Sequence, residues 1–196
     1  MAIIVDKIKK RQDIALACKD ILIKQCINNV SIASLTKAAG ISKGSFYDYF
    51  TNKEDLLFEV INIYLSFHNK IKQNKLNSVN SAREKVKVFL QVFYEEDDDN
   101  LKELYREFLS ITLSNPSKEM MEYHLKRNDE YYKWFESIFE NGIKKGELKP
   151  ISREVVNGLY ILGHGVFMSR LTCNHEQSNQ TEADKFIDAI FNFIEV

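Results

Sequence analysis

Between Ser31 and Phe50 the chain reads SIASLTKAAGISKGSFYDYF, and the order of its small residues leaves few folds open. Ser31 precedes a short run of helix formers, as an N-cap does, because its hydroxyl can accept an otherwise unbonded backbone N–H. Gly40 ends that run, since glycine turns without steric cost into the left-handed conformation that closes a helix. Ser42 then caps another short helix, over about residues 43–49. Two short helices about a tight glycine turn predict a helix-turn-helix, whose second helix enters the major groove of double-stranded DNA.

Helical geometry assigns the faces. At about 100° per residue, Phe46 and Phe50 share one side and are expected to pack inward on Leu35, Ala39 and Ile41. Gly44 and Asp48 point the opposite way, flanked by Ser45 and Tyr47, with Lys43 and Tyr49 at the borders. Gly44 lets the backbone approach a groove floor, and Ser45 can bond a base edge or a phosphate. Tyr47 and Tyr49 are rigid, with hydroxyls suited to phosphate oxygens. Lys43 and Lys53 stand at helix N-termini, where the dipole already favours an anion. Thr36 and Lys37 are expected to face outward and clamp the same backbone. Asp48 would be repelled by phosphates. It is expected either to accept from a cytosine amino group or to hold Lys43 or a tyrosine in place.

The rest of the 196-residue chain carries helical periodicity almost throughout. Apolar residues from Ile8 to Leu22 predict a first helix over about 6–28. The stretch TNKE predicts a capping box, Thr51 with Glu54, opening a long fourth helix. Further caps at Ser81, Asn100, Ser152 and Thr181 bring the expectation to nine helices and an all-α fold. With 2 prolines and 7 glycines, the chain has little punctuation for a many-turned β protein.

Charge separates the front from the body. Residues 1–53 hold 9 Lys and Arg against 4 Asp and Glu, a net of +5, while residues 54–196 carry a net of −6. A basic front on an acidic body points to an anionic partner for the front alone. Cys18 and Cys26 lie too far apart on one helix to bridge, and Cys173 is left over, so reduced thiols and a cytoplasmic setting are expected. No apolar run approaches the length of a membrane span. The acidic run Glu95 to Asp99 lacks the alternating ligands and turn glycine of a calcium loop, and no metal or cofactor is expected.

The stretch Ser31 to Leu56 closely resembles the DNA-binding signature of the TetR family of bacterial transcriptional regulators. Its matches are the cap Ser31, Ala39-Gly40, Ser42-Lys43-Gly44, Tyr47, Tyr49-Phe50 and Lys53-Glu54. Asp48 departs from the family, which often has histidine or asparagine there, so a contact from an amide or a cation does not carry over to this position. The resemblance implies a nine-helix TetR-like architecture: a DNA-binding domain at 1–53 and a helical ligand-binding and dimerisation domain at 54–196. It also implies that the last two helices of each subunit pair as a four-helix interface.

The residues point to the same interface independently. Apolar side chains surround the stretch VVNGLYILGHGVFMSRL on nearly all sides, and the last helix carries two apolar stripes. Val155, Leu159, Leu162, Val166, Phe186, Ile190 and Phe193 are therefore the interface candidates of a homodimer. Aromatics between the fourth and eighth helices suit a pocket for a small apolar or amphipathic effector, with Phe93, Tyr105, Phe108 and Trp134 as candidate contacts. The four histidines form no paired-ligand spacing, and no hydrolase or nucleotide-binding motif appears, so an enzyme is not expected. The expected function is a DNA-binding regulator, a repressor by resemblance, released from a palindromic operator by its effector. The alternatives are a DNA-binding protein of the same fold without an inducer, and a helical carrier or enzyme that does not bind DNA.

Overall fold

The computed structural model describes residues 2–25, 27–95, 99–114, 116–172 and 178–196. Among the described residues nine α-helices follow in order: α1 Ala2–Lys24, α2 Ile32–Ala39, α3 Lys43–Tyr47, α4 Lys53–Ser78, α5 Ala82–Glu95, α6 Asp99–Ser114, α7 Lys118–Lys144, α8 Arg153–Thr172 and α9 Ser178–Ile194. A 3-10 turn at Ile27–Asn29 joins α1 to α2. The all-α expectation is met. Among the described residues there is no strand, and a single isolated bridge pairs Leu148 with Glu195. Cys26, Cys173 and most of the acidic run after Glu95 lie outside the described residues.

The first helix ends earlier than its periodicity predicts, for a tertiary reason. The Ile27 N–H donates to Glu107 Oε1 on α6 at 2.6 Å, and the Lys53 ammonium donates to the carbonyls of Ile27 and Val30 at 2.7 and 2.9 Å. These distant partners satisfy backbone groups that a longer helix would have bonded internally.

Two compact units form, one from Met1–His68 with Asp98–Met120, the other from Asn69–Asp97 with Met121–Val196. In the first, α1 packs on α2 and α6, and α2 packs on α3. Its core includes Ile14, Cys18, Leu22, Leu35, Phe46, Phe50 and Leu56, all buried. The Cys18 thiol donates to the Leu35 carbonyl at 3.4 Å, and burial pushes its pKa up to about 11, so it is held as an unreactive thiol.

In the second unit, α5 packs on α8 and α9, and α8 packs on α9. Phe89, Phe135, Phe139, Ile187 and Phe191 lie at its centre. Each such side chain stabilises the unit by roughly 1.5–3 kcal/mol. The Arg83 guanidinium ties α5 to the end of α9 through Glu195 at 2.5 and 2.8 Å and Asn192 at 3.0 Å. The α9 stripes part as expected: Ile187 and Phe191 turn inward, while Phe186 and Phe193 stand exposed at 47% and 77%.

Candidate nucleic-acid interface

Both serine caps form as the sequence predicts. The Ser31 and Ser42 hydroxyls accept the backbone N–H groups of Ser34 and Ser45 at 3.1 and 3.0 Å. Gly40 adopts φ 64° and ψ 34°, and the Ile41 N–H reaches back to the Thr36 carbonyl at 3.0 Å. That wrapped end fixes the angle between α2 and α3.

Helix α3 is shorter than expected, ending at Tyr47. The chain keeps coiling beyond it, since the Tyr49 and Phe50 N–H groups both donate to the Phe46 carbonyl, at 3.1 and 2.9 Å. The tightening preserves the facing of side chains. Phe46 and Phe50 are buried with ring centres 5.4 Å apart, while Lys43, Gly44, Tyr47 and Asp48 are exposed. Lys37 is exposed as well, and Ser45 and Tyr49 are half-buried. The Ser45 hydroxyl shares a 3.0 Å hydrogen bond with that of Ser42, which leaves it further bonding capacity. Asp48 closes α3 through its backbone N–H, and among the described residues its carboxylate has no hydrogen bond or ion pair.

Three expectations need correction. Thr36 is 7% exposed, and its hydroxyl donates to the Ala33 carbonyl at 3.1 Å, so it packs inward rather than facing outward. Lys53 is half-buried, with its ammonium held by two carbonyls of the turn before α2. Its ion is a staple between α4 and that turn, with one of three donors left over. The cap of α4 lies one residue later than predicted. Asn52 Oδ1 accepts the Asp55 N–H at 2.7 Å, and Asp55 Oδ2 in turn accepts the Thr51 N–H at 3.0 Å.

Arg11 organises this unit, and periodicity gave no sign of it. Its guanidinium donates to Asp55 at 2.7 Å, to Glu59 at 2.8 Å and to the Tyr49 carbonyl, and it lies 4.3 Å over the Phe50 ring. One side chain on α1 thus holds both the end of the recognition segment and the start of α4. Burial opposes its charge, but the bonds and charges of Asp55 and Glu59 outweigh that and raise its pKa. Burial likewise pushes Asp55 up, but Arg11 and the Thr51 donors reverse this and hold its carboxyl below the usual range. The missed signal was angular: Arg11 sits one turn before Ile14 and Ala15, on the inward face of α1.

The other candidates divide. Tyr105 and Phe108 belong to the first unit, where their ring centres lie 6.4 Å apart and Phe108 also meets Phe58 at 6.0 Å. Trp134 belongs to the second, with its ring 5.3 Å from that of Phe89. The Phe93 side chain lies outside the described residues. Trp134 also lines a cleft of about 530 Å³ with Leu76, Ile138, Gln73 and Asn141.

Of the interface candidates, Val155, Phe186 and Phe193 are exposed, and Leu162, Val166 and Ile190 are half-buried. Leu159, at 2% exposure, belongs to the core instead. It lies on the shoulder of α8 that turns toward Val156 and Tyr160, both buried. Ile161, which the sequence did not single out, is 59% exposed on the outer side. A Cβ built on Gly158 or Gly165 would meet nothing within 4 Å, so this chain's own packing requires neither glycine.

Among the described residues no helix is long and apolar enough to cross a membrane, and no three His, Cys, Asp or Glu side chains gather as metal ligands.

Residues 17–60 match the family model described as bacterial regulatory proteins, tetR family. No curated protein matches the chain significantly. Solved structures similar in fold include a TetR-family transcriptional regulator from Cytophaga hutchinsonii, with a TM-score of 0.74 at 18% identity over 97% of both chains. NemR of E. coli in its reduced form gives a TM-score of 0.71 at 18% identity, covering 95% of this chain and 98% of that one. A protein described as a transcriptional regulator from Saccharomonospora viridis, in complex with choline, gives 0.70 at 16% identity over 96% and 98%. The matched segment is the one built above around Ser31, Gly40, Ser42 and Phe46: residues 17–60 carry the N-terminal signature of the tetR family of bacterial regulatory proteins, and nearly the whole chain is similar in fold to solved members of that family.

Proposed function

We propose that the protein is a homodimeric, cytoplasmic transcriptional regulator that represses from a palindromic operator and is released by a small amphipathic effector. The exposed face of the recognition segment carries this reading. Lys43, Gly44, Tyr47 and Asp48 stand free on one side, and Phe46 and Phe50 are buried on the other. Phosphate contacts from Lys37, Lys43, Tyr47 and Tyr49, with the capped helix starts at Ser31 and Ser42, would position the unit. Gly44, Ser45 and Asp48 would meet base edges. Thr36 and Lys53 act here by holding the frame.

Asp48 reads a base in this account, because among the described residues its carboxylate has no partner to orient. Asp48→Asn is expected to bind DNA more tightly but discriminate less, as measured by affinity across an operator library. Unchanged selectivity would refute the base contact.

Dimerisation is supported by the outer faces of α8 and α9, where Val155, Ile161, Phe186 and Phe193 stand exposed. Leu162, Val166 and Ile190 border it. Phe186→Asp with Phe193→Asp should yield a folded monomer on sizing with light scattering, and should weaken operator binding at least about 100-fold, since two half-sites no longer bind as one. A double variant that stays dimeric would contradict the interface.

Effector response is supported by the cleft beside Trp134 and by the course of two helices. Helix α4 starts next to the recognition segment and continues into the second unit's residues, while α6 bonds the turn before α2 through Glu107. A ligand that prefers one setting of α4 changes DNA affinity by that preference alone. The structural neighbour holding choline supports a small-molecule site in this fold.

A further inference from the structure

The cleft beside Trp134 lies wholly within the second unit, lined by the end of α4, the start of α5, and the second half of α7 with the turn after it. Its apolar lining comes from buried Leu76, Ala82 and Ile138 and from half-buried Trp134. Neighbours hold the indole in place. Its ring centre lies 5.3 Å from that of Phe89. The buried Lys72 ammonium lies 5.5 Å from Trp134, 4.4 Å from Phe89 and 5.0 Å from Tyr131, filling the space among the three rings. A ligand in the cleft therefore meets Trp134 as a fixed aromatic surface.

Carboxamides make up most of the polar lining. Gln73 Nε2 donates to Asn77 Oδ1 at 3.0 Å, which leaves both N–H groups of Asn77 for a ligand. Asn141 Nδ2 donates to the Ser137 carbonyl at 2.7 Å, which leaves Asn141 Oδ1. The Asn80 side chain makes no hydrogen bond among the described residues. A hydroxyl donates and accepts at once, as an amide does, so this lining complements a ligand that carries several hydroxyls. Charge adds a further condition. Glu147 is committed, one oxygen accepting the Ala82 N–H at 2.8 Å and the other lying 3.7 Å from the Lys145 ammonium. The Lys85 ammonium, half-buried in the same lining, has no ion pair or hydrogen bond among the described residues. It is the charge left without a counter-ion, and it favours an anion in the cleft.

We propose that this cleft binds a small sugar acid, the carboxylate received by Lys85, the hydroxyls by Asn77, Asn80 and Asn141, and the carbon-bound face by Trp134 and Ile138. This rests on the effector-responsive function above and names the class of effector, amphipathic in that its faces are apolar and its rim polar. The volume of about 530 Å³ falls within the roughly 300–1,000 Å³ of small-molecule sites, which likewise join an apolar lining to a few convergent polar groups.

Trp134 is the chain's one tryptophan, so its emission reports on the cleft directly. The probes are D-glucuronate, D-galacturonate and D-gluconate, titrated into the full protein without DNA. D-Glucose supplies hydroxyls without charge, and cyclohexanecarboxylate supplies charge without hydroxyls. At least one of the acids should give a saturable change, with binding at least about tenfold tighter than either control. In Lys85→Met that acid should bind no better than glucose. In Asn77→Leu combined with Asn141→Leu it should bind no better than cyclohexanecarboxylate. These positions are half-buried or exposed, so the variants should fold, which circular dichroism checks. The proposal is overturned if none of the acids gives a saturable response up to about 50 mM. It is also overturned if either control comes within that tenfold factor, or if either folded variant keeps the preference. A gel shift on the same samples separates the two claims. Acid binding with DNA occupancy unchanged would sink the effector function and keep the site. A protein that shifts DNA but ignores all of the acids would sink the site and keep the regulator.

Discussion

A protein carrying Gly44→Ala is expected to fold as well as the original and to bind its operator at least about tenfold more weakly. The two effects separate because of where the new methyl would point. A Cβ on Gly44 meets only the Ser42 hydroxyl, at 3.7 Å, an ordinary contact. Inside a helix, alanine is favoured over glycine by up to about 1 kcal/mol, so thermal stability should hold or rise slightly. Gly44 is nevertheless exposed on the face opposite Phe46, where the backbone would come closest to the groove floor. A methyl there holds the helix away from the bases, and several short hydrogen bonds lengthen together. Stability measured by circular dichroism and affinity by fluorescence anisotropy give the two readouts. Full affinity in a folded variant would mean that another face meets DNA.

Arg11→Ala is expected to act in the opposite order, destabilising first and losing DNA affinity as a consequence. Its guanidinium serves Asp55, Glu59 and the Tyr49 carbonyl together and covers the Phe50 ring. Removing it leaves two partly buried carboxylates without their counter-charge, Asp55 keeping only its Thr51 donors. With side chains 28%, 27% and 17% exposed, solvent screens part of the effect, and about 2–3 kcal/mol remains. The melting temperature should fall by about 4–10 °C. Arg11→Lys should recover only part, since a single ammonium cannot span two carboxylates and a carbonyl. Acid dependence checks the cause. Asp55 has a lowered folded pKa, so its contribution is present above the unfolded value of about 3.9 and is lost as pH falls through the folded one. That part of the acid limb should flatten in Arg11→Ala. A melting temperature unchanged at neutral pH would remove Arg11 from the frame.

The two positions differ in how far the sequence reveals them. Ser31, Gly40, Ser42 and Phe46 act through partners within a few residues, so caps, turn and inward face were legible from spacing alone. The all-α fold and the parting of Ile187 and Phe191 from Phe186 and Phe193 were legible for the same reason, because helical angle decides both. Arg11, Lys53 and Lys72 were not. Each is a cation whose partners lie on segments distant in the chain, and in sequence a buried Lys or Arg looks like one on a solvated face. Thr36 failed for a subtler reason. Its hydroxyl satisfies itself on the Ala33 carbonyl one turn back, so a polar residue could be buried where the angles alone suggested a surface. Leu159 lies near the boundary between the two faces of α8, where a small angular difference decides between core and interface.

Selection from a random DNA pool by the full protein, followed by sequencing, tests the central claim most directly. The account predicts an inverted repeat, its two half-sites separated by about one helical turn or a multiple of it, and loss of that enrichment in Gly44→Ala. Enrichment of no sequence, or of a lone half-site without symmetry, would contradict a dimer that reads DNA through the face of Gly44, Tyr47 and Asp48.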